Sequence, residues 1–323
     1  MECCLNYCYY EIGSLRLAAF LCSSKINKVK IELQQGITNV ELLGLLQLEN
    51  LCELSIFGSM DDEEESLTFD GGVAPLLMAF GTKSLTSLKL KNLEMKIDIG
   101  VILETCPLLS TLSLKNINLK QPERFGIRRI LPKLKFLCLR GDDEYDPFPS
   151  YYLTSLLSSP DLCEVDINYV RALTDQVLFD AASHNQFSKL ELLKIALADS
   201  DTVTKKGIDL FLKNTNILKK IILRECDSIK QKDVVEWKSL IITNNWQLVL
   251  EIVYPISLNY PMISMIFSEP TKSIVCLIFI YILFNAQSML QCTNSLSNCQ
   301  IAVKYILRKI KDISDYETKM HLS

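Results

Sequence analysis

The 323 residues carry 34 basic and 38 acidic side chains, for a net charge of −4 and a pI near 5.5, which argues against a nucleic-acid binder built on a basic stripe. Apolar residues make up 49 % of the chain, enough for a large core and too many for wholesale disorder. Most of the twelve cysteines stand singly in apolar runs (Leu51-Cys52, Cys106-Pro107, Leu137-Cys138, Leu162-Cys163), the setting of small buried thiols and not of a disulfide framework.

The chain opens on Met1-Glu2-Cys3-Cys4-Leu5-Asn6, without the positive n-region or the clean apolar h-region of a secretory signal. With scattered reduced thiols, that predicts a cytoplasmic or nuclear protein. Cys3, Cys4 and Cys8 lack C-x2-C spacing, and no second ligand pair follows, so residues 1–25 read as an N-terminal capping segment without metal.

From Ile26 onward the pattern L-x-x-L-x-L recurs, with Ile or Val allowed. It appears as Ile26/Val29/Ile31, Leu51/Leu54/Ile56, Leu85/Leu88/Leu90 and Leu109/Leu112/Leu114. It continues as Leu134/Leu137/Leu139, Leu162/Val165/Ile167, Leu190/Leu193/Ile195 and Leu218/Ile221/Leu223, with a looser strand at Leu248-Val249-Leu250-Glu251-Ile252. Intervals between the third positions are 25, 34, 24, 25, 28, 28 and 28 residues. One hexamer proves nothing; eight in phase, with three equal intervals, specify a stack of like units.

Each hexamer predicts a strand with one apolar face, which parallel stacking hides only if something covers it. The segments between hexamers supply the cover. Thr174 is placed to cap a helix with Val177, Leu178, Ala181 and Ala182 on one face. Thr204 precedes Ile208, Phe211 and Leu212 in the same way, and Val234, Trp237, Leu240 and Ile241 repeat the arrangement. The 34-residue interval, with Asp61-Asp62-Glu63-Glu64-Glu65 and Gly71-Gly72, reads as a looped-out insertion. Pro147-Phe148-Pro149 with Tyr151-Tyr152 reads as a second irregular link.

Cys106-Pro107-Leu108-Leu109-Ser110-Thr111-Leu112-Ser113-Leu114 is similar to the "C-P-x-L-x-x-L-x-L" phrase of the ribonuclease-inhibitor-like leucine-rich repeats found in F-box proteins. Leu223-Arg224-Glu225-Cys226-Asp227-Ser228-Ile229 resembles the "L-x-x-C-x-x-I" turn of the cysteine-containing subclass. The resemblance covers about residues 26–255. It implies an α/β leucine-rich-repeat solenoid, a horseshoe with an inner parallel β-sheet and outer helices. It also implies a non-catalytic scaffold, like the substrate-recognition part of an F-box ubiquitin-ligase adaptor, with Skp and cullin subunits among its partners. Two features depart from the family. The consensus Asn or Cys eight positions after the first Leu is met only by Cys226, so no continuous amide ladder is expected. The 25 residues before Ile26 carry no recognisable F-box.

In such a horseshoe the residues flanking the second and third apolar positions line the concave face. These include Lys89, Lys91, Lys115 and Arg140, then Glu164 and Asp166, then Lys194, Lys220 and Arg224. The following loops are acidic: residues 61–65, Asp142-Asp143-Glu144, Asp146, Asp199, Asp201 and Asp227. Two readings stand side by side. One is a basic concave patch with an acidic rim that selects a protein target; the other is an ordinary solvated surface.

Only His184, placed after a predicted helix, and His321 are available as histidines, and neither sits in a nucleophile-base arrangement; no phosphate loop appears and no cofactor is implied. Residues 256–323 form a tail with an apolar segment at 274–284 and a predicted amphipathic helix at 301–313. Residues 274–290 admit three readings: a cap on the last repeat, a membrane tether, or a poorly ordered segment.

Overall fold

Period-two alternation makes each hexamer a strand. Leu88 and Leu90, or Leu112 and Leu114, are buried on one side, while Lys89 and Ser113 between them stand on the other. The computed structural model describes residues 2–5, 24–33, 38–58, 67–121, 129–141, 148–197, 202–212 and 217–253. The chain divides into two units, Met1–Pro255 and Ile256–Ser323, and every described residue belongs to the first.

Ten strands form one sheet in sequence order: β1 (Glu2–Leu5), β2 (Lys28–Glu32), β3 (Glu53–Phe57), β4 (Ser87–Ile97), β5 (Thr111–Leu119), β6 (Phe136–Arg140), β7 (Glu164–Asn168), β8 (Leu192–Ala196), β9 (Lys220–Arg224) and β10 (Val249–Val253). Every neighbouring pair is parallel. The eight hexamers supply β2 to β9, and the looser strand supplies β10. β1 is a strand that the sequence pattern did not indicate.

Register follows the hexamers without slippage. The third apolar positions Ile31, Ile56, Leu90, Leu114, Leu139, Ile167, Ile195, Leu223 and Ile252 are successive cross-strand partners. From Ile31 to Leu223 each is at most 2 % exposed. A one-residue slip would turn that whole row outward. Burying one such Leu or Ile contributes about 1.5–3 kcal/mol, which fixes the face each strand hides.

Seven α-helices among the described residues lie in the connections: α1 (Asn39–Leu43), α2 (Ala74–Phe80), α3 (Ile99–Thr105), α4 (Ser150–Leu157), α5 (Asp175–Asn185), α6 (Lys205–Leu212) and α7 (Gln231–Thr243). Their buried residues and the inward row of strands share one apolar core, so the fold is α/β, a parallel sheet flanked by helices. Thr174 caps α5, its hydroxyl accepting from Val177 N–H at 3.2 Å. Thr204 precedes α6, which buries Ile208, Phe211 and Leu212. In α7 Val234 and Trp237 are buried and Ile241 packs against the core, whereas Leu240, 39 % exposed, is the one residue of the expected apolar stripe that turns outward.

Gly71 and Gly72 are not looped out. They belong to a π-helical turn, Phe69–Val73, that runs into α2. Thr68 accepts from Gly71 N–H at 3.1 Å, and the Asn39 amide both donates to the Thr68 hydroxyl and accepts from its N–H. A Cβ on Gly72 would lie 2.7 Å from Asn39 Oδ1, so glycine lets the two helix starts meet. The acidic run at 61–65 lies outside the described residues. Tyr152 is packed into α4 at 6 % exposure rather than held in an irregular link.

Polar contacts join successive helices at near-constant spacing. Asn185 at the end of α5 donates to the carbonyls of Leu157 and Ser159 and accepts from Phe187 N–H. Asp175 accepts from the N–H and hydroxyl of Thr204 at 2.8 and 2.6 Å. Trp237 donates to Asp209 at 2.7 Å.

No helix among the described residues is long and apolar enough to cross a membrane. The segments 274–290 and 301–313 lie outside the described residues.

Candidate functional site

The sheet face opposite the helices presents the polar flanking residues in three rungs. Lys91 of β4, Lys115 of β5 and Arg140 of β6 are direct cross-strand partners on one rung. Lys89 stands one pleat before Lys91, opposite Ser113. Strands lie about 4.8 Å apart, so the three cations occupy a row with about 10 Å between the outer backbones. Lys89, Lys91 and Arg140 are exposed and Lys115 is half-buried. None of the four makes an ion pair with a described residue.

Local backbone features position this row. Lys91, Lys115 and Arg140 are followed directly by Asn92, Asn116 and Gly141. Asn92 and Asn116 take left-handed φ values of 52° and 48°, which asparagine tolerates better than most residues, and the Asn116 amide donates to Asn92 Oδ1 at 3.2 Å. The third strand ends differently. Tyr169 has φ 57°, its carbonyl faces Gly141, and its ring lies 5.8 Å from the Arg140 guanidinium. The repeated Lys-Asn pair is the sequence feature that could have indicated the first two turns. Nothing local marked the contact from Tyr169 back to Arg140, which comes from the next strand.

The other expected cations fare differently. Lys194 pairs with Asp166 at 3.7 Å and Lys220 with Glu251 at 2.8 Å, each across to a neighbouring strand. The Lys220 hydrogen bond holds the Glu251 carboxyl below its ordinary value. Arg224 is exposed but stands between Ala196 and Val253 on its rung, separated from Arg140 by β7 and β8. The seven cations therefore divide into one contiguous cluster on β4 to β6, two neutralised lysines and an isolated arginine. Of the expected acidic rim only Asp227 is described, and it is exposed.

Next to the cluster, β5 to β8 enclose a depression of about 130 Å³. Ser113 and Cys138 line it on the side of the cations. Phe136, 41 % exposed, and Leu192 give it apolar walls, and Glu164, Asp166 and its ion-pair partner Lys194 line the side away from the cations. Burial pushes the Cys138 thiol up, and nearby Asp166 adds to this against opposing contacts from Lys115 and Ser113. A thiol shifted that way is a poor nucleophile.

His184 lies inside the last turn of α5, not after it, with Nδ1 2.9 Å from the Asp180 carbonyl. No group of three or more His, Cys, Asp or Glu suited to a metal occurs among the described residues. What this face offers chemically is charge, one small apolar seat and backbone rigidity. No family model matches the chain, and no curated protein matches it.

Proposed function

We propose that this chain is a leucine-rich-repeat solenoid that binds a partner protein on the open face of its sheet and carries out no chemistry of its own. Three equal 28-residue intervals, a ten-stranded parallel sheet in sequence order and one unbroken apolar register support the repeat reading. The observation that carries the binding role is the row Lys91, Lys115, Arg140, which is unneutralised by described residues on the face that the helices leave uncovered. Like charges on adjacent strands, whose backbones lie about 4.8 Å apart, repel, and a bound anionic group relieves that cost. A cytoplasmic or nuclear setting suits the free thiols at Cys52, Cys138 and Cys163.

By its resemblance to F-box repeat proteins, the bound partner is a target held for ubiquitination and degradation, with transfer done by other subunits. Affinity capture from cells tests both levels. The wild-type chain should retain a partner that the triple variant Lys91→Glu, Lys115→Glu, Arg140→Glu loses. Skp and cullin subunits should co-purify with both forms. Equal partner capture by the two forms contradicts the binding site, and absence of Skp and cullin contradicts the ligase role alone.

A further inference from the structure

We infer that the ligand of this face is a peptide segment with a run of acidic residues and, about two residues from it, an uncharged apolar one. The inference rests on the binding role proposed above and adds the chemistry of the partner.

The cations set the first half. Elsewhere on the open face Lys28, Lys194 and Lys220 are each paired with a carboxylate on an adjacent strand. Among the described residues of the open face, cations are direct cross-strand partners only on β4 to β6, as Lys91 opposite Lys115 and Lys115 opposite Arg140, whereas Lys30 stands opposite Ser55 and Arg224 between Ala196 and Val253. Long flexible stems on a rigid rung suit carboxylates spaced along a peptide.

The depression sets the second half. Its near wall, Ser113 and Cys138, lies two residues before Lys115 and Arg140 on the same strands, or about 6.6 Å. Two residues of extended peptide span the same distance. Phe136 and Leu192 favour an apolar side chain there. Lys194 lines the depression too and is paired with Asp166, which leaves Glu164, without an ion pair to a described residue, to disfavour a further acidic side chain there. Glu164, one strand beyond the cations, opposes a continuous phosphate backbone, so a peptide fits this surface better than a nucleic acid.

A phage-displayed library of random 12-residue peptides, panned against the full chain, tests this. Enriched sequences should carry the acidic run and an apolar residue about two positions from it. Their affinity should fall about tenfold or more for Lys91→Glu, Lys115→Glu, Arg140→Glu, in line with the loss of three exposed ion pairs. Should that variant fail to fold, the triple alanine variant and a salt series on the wild type replace it, with the same direction expected. Enriched peptides that are not acidic, yet are lost on Phe136→Asp, overturn this inference and leave the binding role standing. Peptides insensitive to every open-face substitution overturn both. No enrichment, or tighter binding of a labelled single-stranded RNA 12-mer than of the best peptide, overturns the inference.

Discussion

Trp237 of α7 donates its indole N–H to Asp209 of α6 at 2.7 Å, across an interval of 28 residues. Trp237 is 0 % exposed, and Asp209 also receives Lys205 at 2.8 Å. The contact binds successive helices at the spacing of the strands beneath them. Asp209→Ala leaves a buried donor without a partner and should cost about 1–3 kcal/mol, whereas Asp209→Asn keeps an acceptor and should cost less. Thermal unfolding should show a fall of about 2–4 °C per kcal/mol for a unit of this size. Equal midpoints for the alanine variant and wild type would mean that the hydrogen bond contributes nothing.

Gly141 follows Arg140 and faces the Tyr169 carbonyl, held there by the left-handed backbone of Tyr169. A Cβ at 141 would run into that carbonyl, which is backbone and unable to rotate away. Gly141→Ala should destabilise the fold by about 1–3 kcal/mol, as overpacking does. Urea titration measures it, and a neutral result would place Tyr169 elsewhere.

The Lys220–Glu251 pair makes stability depend on pH with a definite sign. The carboxyl is held below its ordinary value, mainly by the Lys220 hydrogen bond, with Arg224 and Lys194 adding to it. Such a group stabilises above its unfolded value and loses that contribution as pH falls through the folded one. Both side chains are about two-fifths exposed, so solvent screening limits the pair to about 0.2–1 kcal/mol. Wild type should be slightly more stable than Glu251→Gln at pH 7, and the gap should close as the pH falls through the lowered folded value of the carboxyl. A gap that persists in acid would contradict the assignment.

Burial pushes the thiols of Cys106 and Cys226 up to about 11, so both are protonated at neutral pH and shielded. Iodoacetamide at pH 8 should leave both unmodified in the native protein and label both in denaturant. Peptide mass spectrometry reads the difference, and native labelling at Cys106 would mean that its environment opens.

Period-two alternation and constant intervals made the strands legible. Leu88, Leu112 and Leu137 announce their own face, and their spacing announces parallel neighbours. The caps at Thr174 and Thr204 were legible for the same local reason. What escaped depends on distant partners. Gly71-Gly72 looks like a loop until Asn39, from another connection, occupies the space where their side chains would be. Lys194 and Lys220 look as free as Lys91 until the sheet sets Asp166 directly opposite the first and Glu251 diagonally across from the second. The cluster on β4 to β6 was present in the residue types, but its isolation from the other cations follows from the pairing alone.

The central claim is that a partner binds on the open face beside Lys91, Lys115 and Arg140. Photo-cross-linking tests it most directly. A benzophenone-bearing phenylalanine analogue replaces Phe136 on the open face in one protein and Met78 in another, Met78 being 62 % exposed on α2. Irradiation in cell extract should yield a partner adduct from position 136 and none from position 78. An adduct from position 78 with none from position 136 would contradict the account.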